Sequence, residues 1–253
     1  EALGIPHLRL DNPDSFHDLD VIKHIDPHLI FRQSQWDADV PPAFATDHLA
    51  FTRLALVSYE TMTLLESPPT PPGIRDWMSD TAYHRNCWAV FCANDMVRER
   101  SVRNSPATGG AQYVVTGHPK AQRIRRIIDS ATAAGERPFT VVWSAHHSLD
   151  NDWSRFGLFH RMHEDMIDWA TARPQWRFIF SPHPSLTSRM DAAEPPLDAE
   201  MVTAFRDRWR ALPNTSTFLG EPGGGYGSLF ADSDVMVTDG LSMLLEYQIA
   251  NKP

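Results

Sequence analysis

The sequence predicts an α/β fold built on parallel sheet, and three observations predict it. Short runs of apolar residues, rich in β-branched and aromatic side chains, recur along the chain and end in polar residues, Gly or Pro. Continuous apolar runs of this length fit strands buried on both faces. Amphipathic helical patterns lie between many of the runs, which is the order of a parallel sheet with crossover helices. Several runs are followed at once by His, Ser, Thr, Asp or Gly, where open parallel sheets place their ligands.

The expected strands, in order, are "LIF" (29–31), "LALVSY" (54–59), "WAVFCA" (88–93), "QYVVTG" (112–117), "FTVVWSA" (139–145), "RFIFSP" (177–182), "STFLG" (216–220) and "DVMVTD" (234–239). Helical periodicity covers 118–135, with Ile124, Ile127 and Ile128 on one face and Gly135 as a stop. A second helix is expected over 155–174, where Leu158, Met162, Met166 and Trp169 repeat before Pro174. A third covers 198–213 through Met201, Phe205 and Trp209, and a fourth runs from Gly240 to the end of the chain. The proline-rich stretch 66–76 is an excursion from the first half. Ser, Pro, Gly and Asn gather near 100–112, which predicts one domain over 1–110 and a second over 111–253.

The formal net charge is −9 with no long basic run. That argues against a nucleic-acid partner, which needs a basic face. No apolar run approaches the ~20 residues of a membrane span. The densest basic patch, Lys120 to Arg126, is either a solvated helix face or a contact for an anionic substrate or membrane surface. Cys87 and Cys92 flank a strand and read as reduced core thiols of a cytoplasmic protein. His84 alone makes no zinc site, so no metal is expected. The start lacks both Met and the apolar core of a signal peptide, so a fragment or a processed chain is expected.

Candidate chemistry sits after four strands. Thr116, Gly117, His118 and Pro119 follow the fourth run; Ser144, Ala145, His146, His147 and Ser148 follow the fifth. Ser181, Pro182, His183 and Pro184 follow the sixth, and Thr238, Asp239, Gly240, Leu241 and Ser242 follow the eighth. Gly240 permits a close backbone approach. Ser242 falls in the first turn of a helix, where free N–H groups favour an anion. Asp239 or Thr238 also suits a plain helix cap. Histidine near neutral pH accepts a hydroxyl proton or, charged, neutralises phosphate. His160 and His163, three apart on a helix, read as surface residues, and His17, His24, His28 and His48 as loop or helix-face residues. The Gly-rich loop 220–230 is a plausible rim for a diphosphate or a base. No hydrolase elbow, Walker loop or metalloprotease helix appears, and "GGGYG" is not a dinucleotide fingerprint.

The order "VTGHPK", "VVWSAHHS", "FIFSPHPSL" and "YGSLFADSDVMVTDGLSMLLEYQIANKP" resembles the CDP-glycerol glycerophosphotransferase family of teichoic-acid and capsule polymerases, over roughly residues 20–253. The resemblance implies a GT-B fold, with an acceptor-side and a donor-binding Rossmann-like domain, both incomplete here. It implies that His183 is a donor-side histidine and that His146 or His147 is the base. It implies that Thr238, Asp239 and Ser242 receive the diphosphate, with Gly117, His118, Ser181 and Gly240 around it. Glu246 stands where an acidic residue would meet a ribose or glycerol hydroxyl. The chain departs from the better-known polymerases at Ala145-His146-His147, where they have Thr-Trp-Arg, and at Gly240-Leu241, where they have Tyr-Ser.

The expected reaction transfers polyol phosphate from a CDP-activated donor, without cofactor or metal, to a cell-surface polymer or lipid-linked acceptor. CDP-glycerol, CDP-ribitol and a nucleotide sugar all suit the scaffold. Peripheral contact with the inner membrane face is part of the same implication, although no amphipathic basic helix is evident. The rivals are a GT-B nucleotide-sugar glycosyltransferase or epimerase, and a non-catalytic binding fragment.

Overall fold

The computed structural model describes residues 6–61, 76–105, 108–131, 136–149, 155–220 and 225–253. The chain divides into two compact units, Glu1–His118 and Pro119–Pro253. Most of the proline-rich stretch, Gly135 and residues 221–224 of the Gly-rich loop lie outside the described residues.

The first unit holds α1 (Ser15–Ile25), β1 (Leu29–Arg32), β2 (Arg53–Val57), α2 (Ala82–Asn86), β3 (Cys87–Cys92), α3 (Asp95–Asn104) and β4 (Tyr113–Val115). Its strands form a parallel sheet in the order β1-β2-β3-β4. Leu54, Leu56, Val90, Cys92 and Tyr113 alternate onto one face and pack with Leu19 and Tyr83 of the helices. A sequential strand order sends every right-handed crossover to the same face. The opposite face accordingly leaves Phe31 exposed, stacked on Phe91 at 6.3 Å. Both cysteines are free and buried. Because β4 pairs with β3, the chain leaves the first unit after His118, not near 110.

The second unit runs α4 (Pro119–Ser130), β5 (Thr140–Ser144), α5 (Phe159–Ala172), β6 (Arg177–Phe180), α6 (Pro184–Ala192), α7 (Ala199–Ala211), β7 (Thr215–Thr217), α8 (Gly227–Asp232), β8 (Val235–Thr238) and α9 (Leu241–Tyr247). Its sheet order is β7-β6-β5-β8, all parallel. Both faces are covered. Val141, Trp143 and Phe180 pack under α5 and α7, where Trp143 meets Phe159, Phe180, Phe205 and Trp209 within about 6 Å. Val142 and Ile179 pack with Ile124, Leu229, Phe230 and Tyr247. Two-sided burial is why these strands read as unbroken apolar runs.

Three details correct the sequence reading. The last helix spans only Leu241–Tyr247, continued by a 3₁₀ turn over Gln248–Ala250. Beyond it, Lys252 Nζ donates to the carbonyls of Phe230, Ala231 and Ser233, satisfying the open end of α8. His163 is not a surface residue: its side chain is 14% exposed, and its ring lies 5.7 Å from that of Phe159.

Candidate functional site

In the second sheet the chain places β5 first, adds β6 and β7 on one side, then returns to add β8 on the other. The carboxyl ends of β5 and β8 therefore flank a point where strand order reverses, which is where open α/β sheets bind ligands. Register sets Ser144 beside Thr238, so the residues that follow, His146 and Asp239, emerge side by side. β6 ends one strand over, and His183 N donates to Ala145 O at 2.9 Å. The backbone thus brings His146, His147 and His183 together.

The three rings form a tight cluster. Centroids lie 4.4 Å apart for His146 and His147, 4.4 Å for His147 and His183, and 5.5 Å for His146 and His183. His183 is the most open of the three and caps α6, its Nδ1 accepting from Ser185 N at 3.1 Å. His146 Nδ1 accepts from Ser148 N at 3.2 Å and shares a 2.8 Å bond with Ser148 Oγ. Burial, then the charges of His147 and His183, pushes the His146 pKa down to about 4. Partial burial of the ring and then His147 lower the pKa of His183 as well, an effect tempered by its exposure to solvent. His147 is lowered by burial and by Arg189, whose guanidinium donates to the His147 carbonyl at 2.9 Å. All three shifts favour the neutral ring at pH 7.

Asp239, expected among the diphosphate contacts, clamps backbone with both carboxylate oxygens. One oxygen accepts from His146 N and the other from Leu158 N, each at 2.6 Å. Burial raises its carboxyl pKa, against the lowering effect of these two bonds. Both oxygens hold the loop that carries His146. Thr238 likewise turns inward, its Oγ1 accepting from Gly240 N at 3.0 Å, so that N–H is not free for a ligand. Gly240 makes room for a ring: a Cβ there would stand 3.3 Å from His146 Cδ2. Gly157 does the same for the loop backbone, since a Cβ would stand 2.6 Å from His146 O.

Other expected residues distribute as follows. Ser181 is buried at the end of β6, its N–H paired to Trp143 O. Ser242 is exposed in the first turn of α9, a helix of only seven residues. Gly117 and His118 close the first unit, and the His118 ring bonds the Ser58 carbonyl at 2.7 Å. Glu246 is 2% exposed and pairs through Oε1 with Lys120 of α4. Its Oε2 is buried without a hydrogen-bond partner among the described residues. Lys120 also lines a cavity of about 250 Å³ with Arg123, Ile124, Ile127, Tyr226 and Gly227. A larger cavity of about 550 Å³ runs along α6, α7 and β7 but is lined by none of the three histidines.

Sequence reasoning placed Ser148 after the fifth run but missed Lys120 and Arg189 as individual residues of the site. Lys120 was visible only within a basic patch. Arg189 carried no signal, because its target is a backbone carbonyl 42 residues away. Among the described residues, no group of three or more His, Cys, Asp or Glu is placed to hold a metal ion.

No protein-family model matches the chain, and no curated protein matches it. Solved structures do. The UDP-GlcNAc 2-epimerase of Neisseria meningitidis, bound to UDP-GlcNAc, aligns with TM-score 0.58 and 12% identity over 94% of this chain and 61% of that one. The UDP-GlcNAc 2-epimerase of Methanocaldococcus jannaschii, in complex with UDP-GlcNAc and UDP, gives 0.57 and 13% over 94% and 62%. The wall teichoic acid polymerase TagF gives 0.51 and 11% over 89% and 53%. The chain spans less than two thirds of the length of each of these structures. At such identities the likeness is one of fold, and the fold is GT-B, with two Rossmann-type units.

Proposed function

We propose that the chain belongs to a GT-B transferase that moves a polyol phosphate from a CDP-activated donor to an acceptor hydroxyl in cell-surface polymer synthesis. The observation that carries this reading is the cluster of three histidines at the strand-order reversal of the second sheet. Imidazole N–H groups there donate to diphosphate oxygens as charge develops. A neutral imidazole also takes up the proton that the acceptor hydroxyl releases. The acceptor oxygen attacks the β-phosphorus, the bond to the bridging oxygen breaks, and CMP leaves with the electron pair.

Glu246 supports a nucleotide-linked donor. A buried carboxylate oxygen with no partner calls for a hydrogen-bond donor, and a ribose or polyol hydroxyl supplies one. The acceptor in this reading is a polymer or lipid-linked hydroxyl, met by a protein in peripheral contact with the membrane. No helix among the described residues is long and apolar enough to cross it.

A nucleotide-sugar transferase or epimerase is the second reading, favoured by the fold likeness to enzymes bound to UDP-GlcNAc. Calorimetric titration with CDP-glycerol, CDP, UDP and GDP separates the two. Cytidine selectivity, weakened at least about tenfold by His183→Ala, is the expected result. Uridine selectivity moves the assignment to the second reading. Absence of binding to any nucleotide removes both and leaves a non-catalytic binding domain.

A further inference from the structure

The three histidines look alike in sequence, but their hydrogen bonds give them different work. A backbone N–H only donates. Ser148 N–H points at Nδ1 of His146 at 3.2 Å, and Ser185 N–H at Nδ1 of His183 at 3.1 Å. Each Nδ1 therefore offers its lone pair, and each neutral ring carries its proton on Nε2. Full protonation of either ring would set N–H against N–H, so the same contact holds both rings neutral. Both carry Nε2–H as a donor and have no free lone pair with which to accept a proton.

His147 differs. Neither of its ring nitrogens hydrogen-bonds to another described residue, and its tie to the fold runs through its backbone carbonyl and Arg189. Its ring lies 4.4 Å from each of the other two and keeps a lone pair to offer beside their donors.

We propose that His147 alone takes the proton of the acceptor hydroxyl, while His146 and His183 are neutral Nε2–H donors to phosphate oxygens. The proposal rests on the phosphotransfer reading. In that step the acceptor O–P bond forms, the bond from the β-phosphorus to the bridging oxygen breaks, and CMP leaves with the electron pair. The hydroxyl proton passes to a ring nitrogen of His147. The same bonding argues against a zinc cage: a metal at Nε2 needs the ring proton on Nδ1, where backbone donors already point.

Two measurements test the assignment. Long-range ¹H–¹⁵N spectra of the labelled protein at pH 7.5, assigned with single His→Gln variants, should show Nδ1 unprotonated and Nε2 protonated in His146 and His183. Inorganic pyrophosphate should then shift both Nε2 signals. An Nδ1–H tautomer, an imidazolium, or no response to millimolar pyrophosphate overturns the donor assignment.

Kinetics with the donor selected by calorimetry test the base. His147→Gln should lower kcat by about 10²–10⁴-fold with little change in donor KM, and should remove the rising limb of log kcat against pH. His183→Gln, which removes a donor to phosphate but no base, should raise the donor KM and leave the rising limb of log kcat against pH in place. The reverse pattern overturns the proposal. If nucleotides bind but none is turned over, the reaction falls and the base assignment falls with it, while the pyrophosphate spectra still decide the donors.

Discussion

Asp239 shows how the site is held at the scale of single residues. Its two oxygens each accept a backbone N–H, from His146 and from Leu158, so one side chain fixes both ends of the loop after β5. Asp239→Ala leaves two N–H groups in the clamp unpaired. Loss of about 2–4 kcal/mol in urea unfolding is expected, from the penalty for unsatisfied buried groups. Nucleotide affinity should fall at least about tenfold with it, because His146 loses its position. Wild-type affinity in a folded Asp239→Ala protein would show that the loop is held by other means. Gly157→Ala attacks the same loop through space: its Cβ would meet the His146 carbonyl at 2.6 Å, where backbone cannot yield. A cost of about 1–3 kcal/mol is expected for such overpacking, read as a lower urea midpoint. The sequence made the Thr238-Asp239-Gly240 turn legible as part of a site. It did not make the clamp legible, since Leu158 lies 81 residues away and is bonded through its main chain, which carries no residue-specific signal.

At the scale of elements, what was legible followed burial. Seven of the eight strands among the described residues were visible as short continuous apolar runs, while β7, Thr215–Thr217, has no apolar residue and is overlapped only by the start of the run expected over 216–220; α4, α5 and α7 were visible because each keeps an apolar stripe. α3 was not, since "DMVRERSVRN" buries only Ser101 and has no stripe to detect. α6 carried a usable signal, Pro184 at its first position behind a capping His183, which was read only as a site turn. α8 has six residues and depends on tertiary contact: α4 lies against it, and a Cβ on Gly227 would stand 2.5 Å from Ile127 Cδ1. Gly227→Ala should therefore destabilise the protein by about 1–3 kcal/mol. Ile127→Ala opens the space that the new methyl needs. The double variant should lose less than the sum of the two single losses, and strict additivity in urea unfolding would show that the two helices do not meet there.

For the whole molecule, the parallel α/β architecture and its division into two units were legible, while the place of the division was not. β4 looks like every other strand in sequence, and only its pairing with β3 assigns it to the first unit. Acid stability is the property that such hidden contacts decide. His84 is 3% exposed, with Nδ1 against Thr81 N at 3.3 Å and Thr81 Oγ1 at 2.9 Å, and burial pushes its pKa from 6.5 to about 4. Between those values the unfolded chain binds a proton that the folded first unit refuses, so stability rises with pH. The contribution is fully present above about pH 6.5 and is lost as pH falls to about 4, an effect of about 3 kcal/mol. Asp76, whose pKa is lowered below 3.8 despite burial by its bonds to Ser79, Met78 and Asn104, titrates beneath that window. Asp239, raised by burial, acts in the opposite sense, but in the second unit. The comparison that isolates His84 is His84→Asn, which keeps an acceptor near Nδ1 and cannot charge. Urea midpoints at pH 7.5, 6.0, 5.0 and 4.5 should drop steeply in the wild type. The variant, whatever its offset at pH 7.5, should show the shallower slope. Parallel slopes would mean that the folded chain accommodates a charged His84 at little cost.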